Sequence, residues 1–203
     1  MRCIGKAEQQ QGGIFMQNTK QMSTKTLVLS AILTGIVVLL QFLGSFIKFG
    51  PFSISLVLIP IVIGTATCGK FVGAWLGLVF GIVVLISGDA APFLAVSVPG
   101  TIITVILKGL GCGYVSGLVY KALEKKNRTL AVAASAVVCP VVNTGIFLIG
   151  CFTFFMSALT EWAGGDVAHY IVFVLVGGNF LFELLLNIII SPAIVRILNY
   201  RLK

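Results

Sequence analysis

The sequence predicts an all-α membrane protein: a bundle of six transmembrane helices with both termini cytoplasmic. Three observations carry this. First, 58% of the 203 residues are hydrophobic and only 10% charged, with a mean hydropathy of +1.10. A soluble domain is about 45–50% apolar and about 25% charged. Second, apolar runs recur at 27–47, 53–68, 71–87, 93–120, 129–157 and 169–197. A spanning helix needs about 20 apolar residues, so six use roughly 120. Third, the basic residues segregate. With the N-terminus inside, Arg2, Lys6, Lys20, Lys25, Lys70, Lys121, Lys125, Lys126, Arg128, Arg196, Arg201 and Lys203 fall on the cytoplasmic side and only Lys48 outside. Asp89, Glu161 and Asp166 fall outside. That is the positive-inside pattern. The net charge of +8 therefore reports topology, and neither a soluble enzyme nor nucleic-acid binding is expected.

Taking the elements in order, residues 1–26 are Gln-rich and have no apolar signal-peptide core before Leu27. We expect a disordered tail or an over-extended gene start, with Met16 and Met22 as alternative starts, and one membrane domain over 27–203. The second and third runs are separated only by Gly69 and Lys70. As one helix, residues 53–87 would extend about 52 Å against a hydrocarbon core of roughly 30 Å, so they must be two. Pro99 and Pro140 lie inside the fourth and fifth runs and should bend or interrupt those helices.

Two runs carry glycine at helical spacing: Gly69, Gly73, Gly77 and Gly81 in the third, Gly109, Gly113 and Gly117 in the fourth. Residues four apart share a helix face, and glycine there admits a second backbone. The face serves packing within the chain or a partner subunit. The first run offers another small-residue face, Ala31 and Gly35, with Ser30 and Thr34 beside it. Cys3, Cys68, Cys112, Cys139 and Cys151 form no CxxC pair, and with a single histidine, His169, no zinc site is expected. The cysteines read as small apolar packing residues.

Ionisable residues within the membrane are costly and mark function. Lys108 lies fifteen residues below the outer end of the fourth run and Glu183 fourteen below that of the sixth, so the two sit at similar depth and suggest an ion pair. Asn179 and Asn187 flank Glu183 by one turn. Asn143 and Thr144 lie near Pro140, and the first run adds Gln41. These groups either hold the bundle together or line a pocket for a polar solute. The length of the stripe favours a pocket. Three outer loops could cap it: 49–53, beginning at Phe49; 87–92, which holds Asp89; and 160–166, whose Trp162 suits an interfacial anchor. A buried Lys108 leans towards an anionic solute, although Glu183 could already neutralise it. No Gly-x-x-x-x-Gly-Lys-Ser/Thr loop and no His-Glu-x-x-His motif occurs. We expect no catalytic residues, no metal and no cofactor.

The stretches Ile59-Pro60-Ile61-Val62-Ile63-Gly64 and Gly69-Lys70-Phe71-Val72-Gly73-Ala74-Trp75-Leu76-Gly77 resemble the helix 2–helix 3 signature of the substrate-binding S components of energy-coupling factor (ECF) transporters, which are bacterial vitamin-uptake proteins. Lys70 stands where that family often has proline. The likeness covers about residues 24–203. It implies a multi-pass subunit of the bacterial cell membrane that binds a vitamin-like molecule from outside, in a pocket among the last three helices and the loops after helices 1, 3 and 5. It also implies docking on a transmembrane coupling protein driven by two ATPase subunits, toppling in the bilayer, and a coupling face that maps to Ala31 and Gly35. Lys108, Asn143, Asn179, Glu183, Asp89 and Phe49 are the candidate substrate-binding residues. Pantothenate, riboflavin or another vitamin would fit in class. The alternatives are a self-contained secondary transporter or channel, with no convincing inverted repeat to support it, and a small membrane enzyme, for which only Lys108, Glu183 and Asp89 could serve.

Overall fold

The computed structural model describes residues 23–46, 48–49, 52–53, 56–173 and 180–200. The elements are α1 (Thr24–Ser45), a two-residue hairpin of β1 (Lys48–Phe49) and β2 (Phe52–Ser53), α2 (Leu58–Cys68), α3 (Lys70–Ile86), α4 (Ala91–Val96), α5 (Val98–Leu123), α6 (Arg128–Phe154), α7 (Met156–Trp162), a short α8 (Val167–His169) and α9 (Leu181–Tyr200). Apart from the hairpin, the described regular structure is helical, as expected for an all-α membrane protein. By length and composition α1, α5 and α6 can each cross a bilayer; α2 and α3 are shorter apolar helices. Helix α1 begins at Thr24, three residues ahead of the expected Leu27. Most of the N-terminal tail lies outside the described residues.

The breaks follow local chemistry. Gly69 alone separates α2 from α3, and its φ of 91° is a conformation that favours glycine. The fourth apolar run is two helices: of the bend or interruption expected at Pro99, the interruption is found, at Ser97. Ser97 is extended, with φ −153° and ψ 106°, and its side chain accepts from the Gly100 amide at 3.3 Å. Pro99 thus sits in the first turn of α5, where its missing N–H costs nothing. Asn127 starts α6 in the same way, accepting from the Leu130 amide at 3.2 Å. Pro140 lies inside α6 without ending it. Asp166 caps α8 by accepting from the His169 amide at 3.0 Å, and the backbone then widens into a π-helical turn at 170–173.

Short α2 is the centre of the bundle. It packs against α1, α3, α5, α6 and α9, and Leu58, Ile61 and Val62 are fully buried. Around it the other helices turn large apolar side chains outward: Leu39, Phe71, Ile149 and Ile189 are all more than 60% exposed. Such a surface suits lipid, where association rests on close packing and hydrogen bonds. The glycine rows supply that packing. Helices α3 and α5 run antiparallel with their glycines interleaved. A Cβ on Gly73 would stand 2.7 Å from the Gly113 carbonyl oxygen, one on Gly81 2.9 Å from that of Val105, and one on Gly117 2.6 Å from the Lys70 Cα. A Cβ on Gly77 or Gly109 would overlap the other's carbonyl outright. Both rows therefore serve packing within the chain. Polar glue joins α5 to α6, where buried Ser135 Oγ donates to the Ser116 carbonyl at 3.0 Å. The cysteines behave as packing residues: Cys112, Cys139 and Cys151 are free and fully buried.

Candidate functional site

The C-terminal ends of α1, α3 and α6 and the start of α5 lie at one end of the bundle, and the polar side chains gather below it. Lys108 is ten residues into α5, about 15 Å down at 1.5 Å per residue. Its ammonium lies 5.5 Å from the ring centre of Phe80 on α3 and 5.4 Å from that of Phe147 on α6. Aromatic faces attract a cation at such distances. The carboxylates of Glu183 and Asp89 also act on it, Glu183 the more strongly. Glu183 is buried, and one turn on, Asn187 donates to the Glu183 backbone carbonyl at 2.8 Å.

Asp89 is held from two sides. Gln41 Nε2 on α1 donates to its Oδ2 at 2.6 Å, and Ser87 Oγ donates to the same oxygen at 3.0 Å. Gly88, with a φ of 84°, makes the turn that brings Ser87 and Asp89 back over α1. The Gln41–Asp89 bond spans 48 residues and ties the first helix to the loop after the third.

Above Lys108 lies an aromatic cluster. Phe93 on α4 meets Phe147, Phe155 and Trp162 edge-on, at centroid separations of 5.4, 5.1 and 5.5 Å. Such geometry adds about 0.5–1.5 kcal/mol per pair beyond area burial. Phe147 belongs to both groups, so the cluster roofs the cation. Trp162, expected as an interfacial anchor, packs into this roof and keeps 38% of its surface exposed.

Four buried oxygen atoms on α1, α5, α6 and α9 have no hydrogen-bond partner among the described residues: Gln41 Oε1, Thr104 Oγ1, Asn143 Oδ1 and Asn187 Oδ1. Each bare buried group costs about 1–3 kcal/mol unless something fills it. Thr104 is one turn before Lys108 on the same face of α5 and packs against Gly150 of α6. Asn143 is one turn before Phe147. Of the sequence-based candidates, the structure brings Lys108, Asp89 and Glu183 into one electrostatic neighbourhood, with Asn143 one turn from the Phe147 ring. Asn179 lies outside the described residues. Phe49 is described by its backbone only, paired with Phe52. Thr104, Phe80, Phe93 and Phe147 were not singled out from sequence, although Thr104 stands at i−4 to Lys108, a helical neighbour. No group of three or more His, Cys, Asp or Glu side chains suited to a metal occurs among the described residues.

On α1, Ala31 and Gly35 face outward, and a Cβ on Gly35 would meet nothing within 4 Å. Beside them runs an open groove of about 300 Å³ lined by Thr24, Lys25, Val28, Leu29 and Ile32.

A family model described as the substrate-specific component of ECF transporters matches residues 25–198. The chain belongs to that family. As an ECF substrate-specific component it is a transport subunit of a multi-pass membrane system, and the family is not an enzyme class. Comparison with curated proteins and with solved structures gives no match. The buried polar cluster and the open α1 face of this S component are its two candidate working surfaces.

Proposed function

We propose that this S component binds a vitamin-like small molecule from outside the cell and delivers it with an ATP-driven ECF module. That module would comprise a transmembrane coupling protein and two ATPase subunits in a bacterial membrane. The observation that supports it best is that α1, α5, α6 and α9 each carry a buried polar atom without a hydrogen-bond partner among the described residues, on the helices that also hold Lys108 beneath the Phe93–Phe147 roof. A bundle held only by internal hydrogen bonds would pair those atoms with one another. Both termini are cytoplasmic in this reading, with Asp89 and Glu161 outside. Single-cysteine labelling in intact cells checks this, and a label at Lys125 reacting from outside would reverse the orientation.

Asn143→Leu separates a binding site from structural glue. Asn143 is buried with a bare Oδ1, so removing it should not lower thermal stability. Solute affinity should fall at least about tenfold, near 1.4 kcal/mol. A screen of the purified protein against vitamins by calorimetry supplies the solute. Asn179→Leu is expected to act likewise. Unchanged affinity in both variants would return these residues to a packing role.

The coupling face follows from α1. Gly35→Leu or Ala31→Trp fills the surface beside the groove, where close helix approach depends on small side chains. Solute binding should survive, because α1 enters the polar cluster through buried Gln41, while Ala31 and Gly35 are exposed. Uptake by cells supplying an ECF module should collapse. Accumulation of solute in liposomes by the purified chain alone would instead establish a self-contained transporter.

A further inference from the structure

We infer that the seam between α3 and α5, at the end of the bundle away from Asp89, binds an anionic phospholipid. Its phosphate meets Lys70 and Lys121, and its acyl chains lie along Phe71, Tyr114 and Leu107.

Packing decides which charges share that end. Gly73, Gly77 and Gly81 of α3 meet Gly113, Gly109 and Val105 of α5, in reverse order. Helix α6 runs back along α5 in turn: Ser135 bonds the Ser116 carbonyl at one height, and Gly150 packs on Thr104 at another. The start of α3, the end of α5 and the start of α6 therefore lie together. Among the described residues they and the loop after α5 bring Lys70, Lys121, Lys125, Lys126 and Arg128 against one carboxylate, Glu124. Lys70 is aimed. Its ammonium stands 5.3 Å from the ring centre of Phe71 and 5.1 Å from that of Tyr114, and it donates to the Tyr114 hydroxyl at 3.4 Å. The rings attract the cation through their quadrupoles and leave its charge whole. An ammonium has three donors, and the hydroxyl takes one. Phe71 is 75% exposed and Tyr114 36%, so the seat opens outward.

The stripe leading away from this seat has a lipid's proportions. Leu107, Tyr114 and Lys121 are seven apart, so they share one face of α5, and all three are exposed. Gly117 packs on Lys70, which sets the Lys70 backbone one turn short of Lys121. From Lys121 to Leu107 is about 21 Å at 1.5 Å per residue, while the hydrocarbon of one leaflet is about 15 Å deep. The two lysines thus stand at headgroup depth when Leu107 stands among acyl chains. A soluble anion would answer the lysines and leave the apolar stripe unused. A zwitterionic lipid would cover the stripe but bring its own cation to the lysines. An anionic lipid answers both, as basic residues at the ends of spanning helices commonly do for such headgroups.

The test titrates the full chain, purified in a neutral detergent, with three probes: phosphatidylglycerol, phosphatidylcholine of the same acyl chains, and glycerol 1-phosphate. Native mass spectrometry reads the molecules retained. Phosphatidylglycerol should bind at least about tenfold tighter than phosphatidylcholine, and added salt should narrow the gap. Lys70→Gln and Lys121→Gln should each cut the preference several-fold. Tyr114→Leu keeps both charges but frees Lys70, and should cut it less. Lys125→Gln, outside the seam, should leave it unchanged. Lys121 is exposed near a helix end, so its variant still reports if Lys70→Gln disturbs the turn at Gly69. Equal binding of the two lipids overturns the inference. So does a preference lost as fully in Lys125→Gln as in Lys121→Gln, which would mark diffuse charge without a seat. Glycerol 1-phosphate binding as tightly as the lipid would make this a site for soluble anions. If Lys70→Gln and Lys121→Gln spare lipid binding but prevent co-purification with an ECF module, the seam is a protein interface instead.

Discussion

Gly77→Ala should destabilise this protein by at least about 2 kcal/mol, while Gly35→Ala should leave it unchanged or firmer by up to about 1 kcal/mol. The same methyl group is added to a helical glycine in both cases. At Gly77 it meets the carbonyl of Gly109, a backbone atom that cannot rotate away. At Gly35 it meets nothing within 4 Å, and alanine's better helix propensity is gained. Thermal unfolding of both variants in the same detergent checks the sign. A mild effect at Gly77 would mean that α3 and α5 can separate without loss, against the interleaving described above. Gly109→Ala should behave as Gly77→Ala, and the two together should cost less than their sum, because either one already forces the helices apart.

The second large effect concerns charge. Lys108→Met and Glu183→Gln should each cost about 3 kcal/mol in stability, and the double replacement clearly less than the two combined. Removing one group takes away a field that favours the other's charge in an apolar bundle. Glu183 is 2% exposed, so water does little to screen it. Asp89 also acts on Lys108 and keeps a partner of its own in Gln41. Lys108→Met should harm more through Glu183, which acts on Lys108 the more strongly, than through Asp89. A cycle with Asp89→Asn in place of Glu183→Gln should show the smaller coupling. Strictly additive losses for Lys108 and Glu183 would mean the two groups do not sense each other.

Much of the fold was legible because membrane helices announce themselves by composition, and because glycine at spacing four has few uses other than backbone contact. The pairing of Gly77 with Gly109 was not legible, since spacing gives a face and not its partner. The break before α5 was legible from Pro99, but only to within two residues, because proline is welcome in a first turn and Ser97 carries the extended backbone. In the site, Lys108, Asp89 and Glu183 stood out as charges in apolar sequence. Gln41 stood out only as a stray polar residue, because its partner lies 48 positions away. Thr104 was silent for a physical reason: threonine in a membrane helix ordinarily bonds its own preceding turn, as Thr34, Thr67, Thr101 and Thr153 do here. Only the coordinates reveal that Thr104 does not.

The interleaved glycines also set what can move. Shifting α3 by one residue along α5 would bring Ala74 or Leu78 against carbonyls that now face bare backbone. The two helices thus have one register and no neighbouring alternative, and they move as a single rigid plate. Phe80 and Lys108 ride on that plate, one from each helix. On the proposed reading, admission of a solute falls to the pieces bolted to it by side chains alone: Asp89, held to Gln41 by one side-chain bond, and the Phe93 roof on six-residue α4, which ends at extended Ser97.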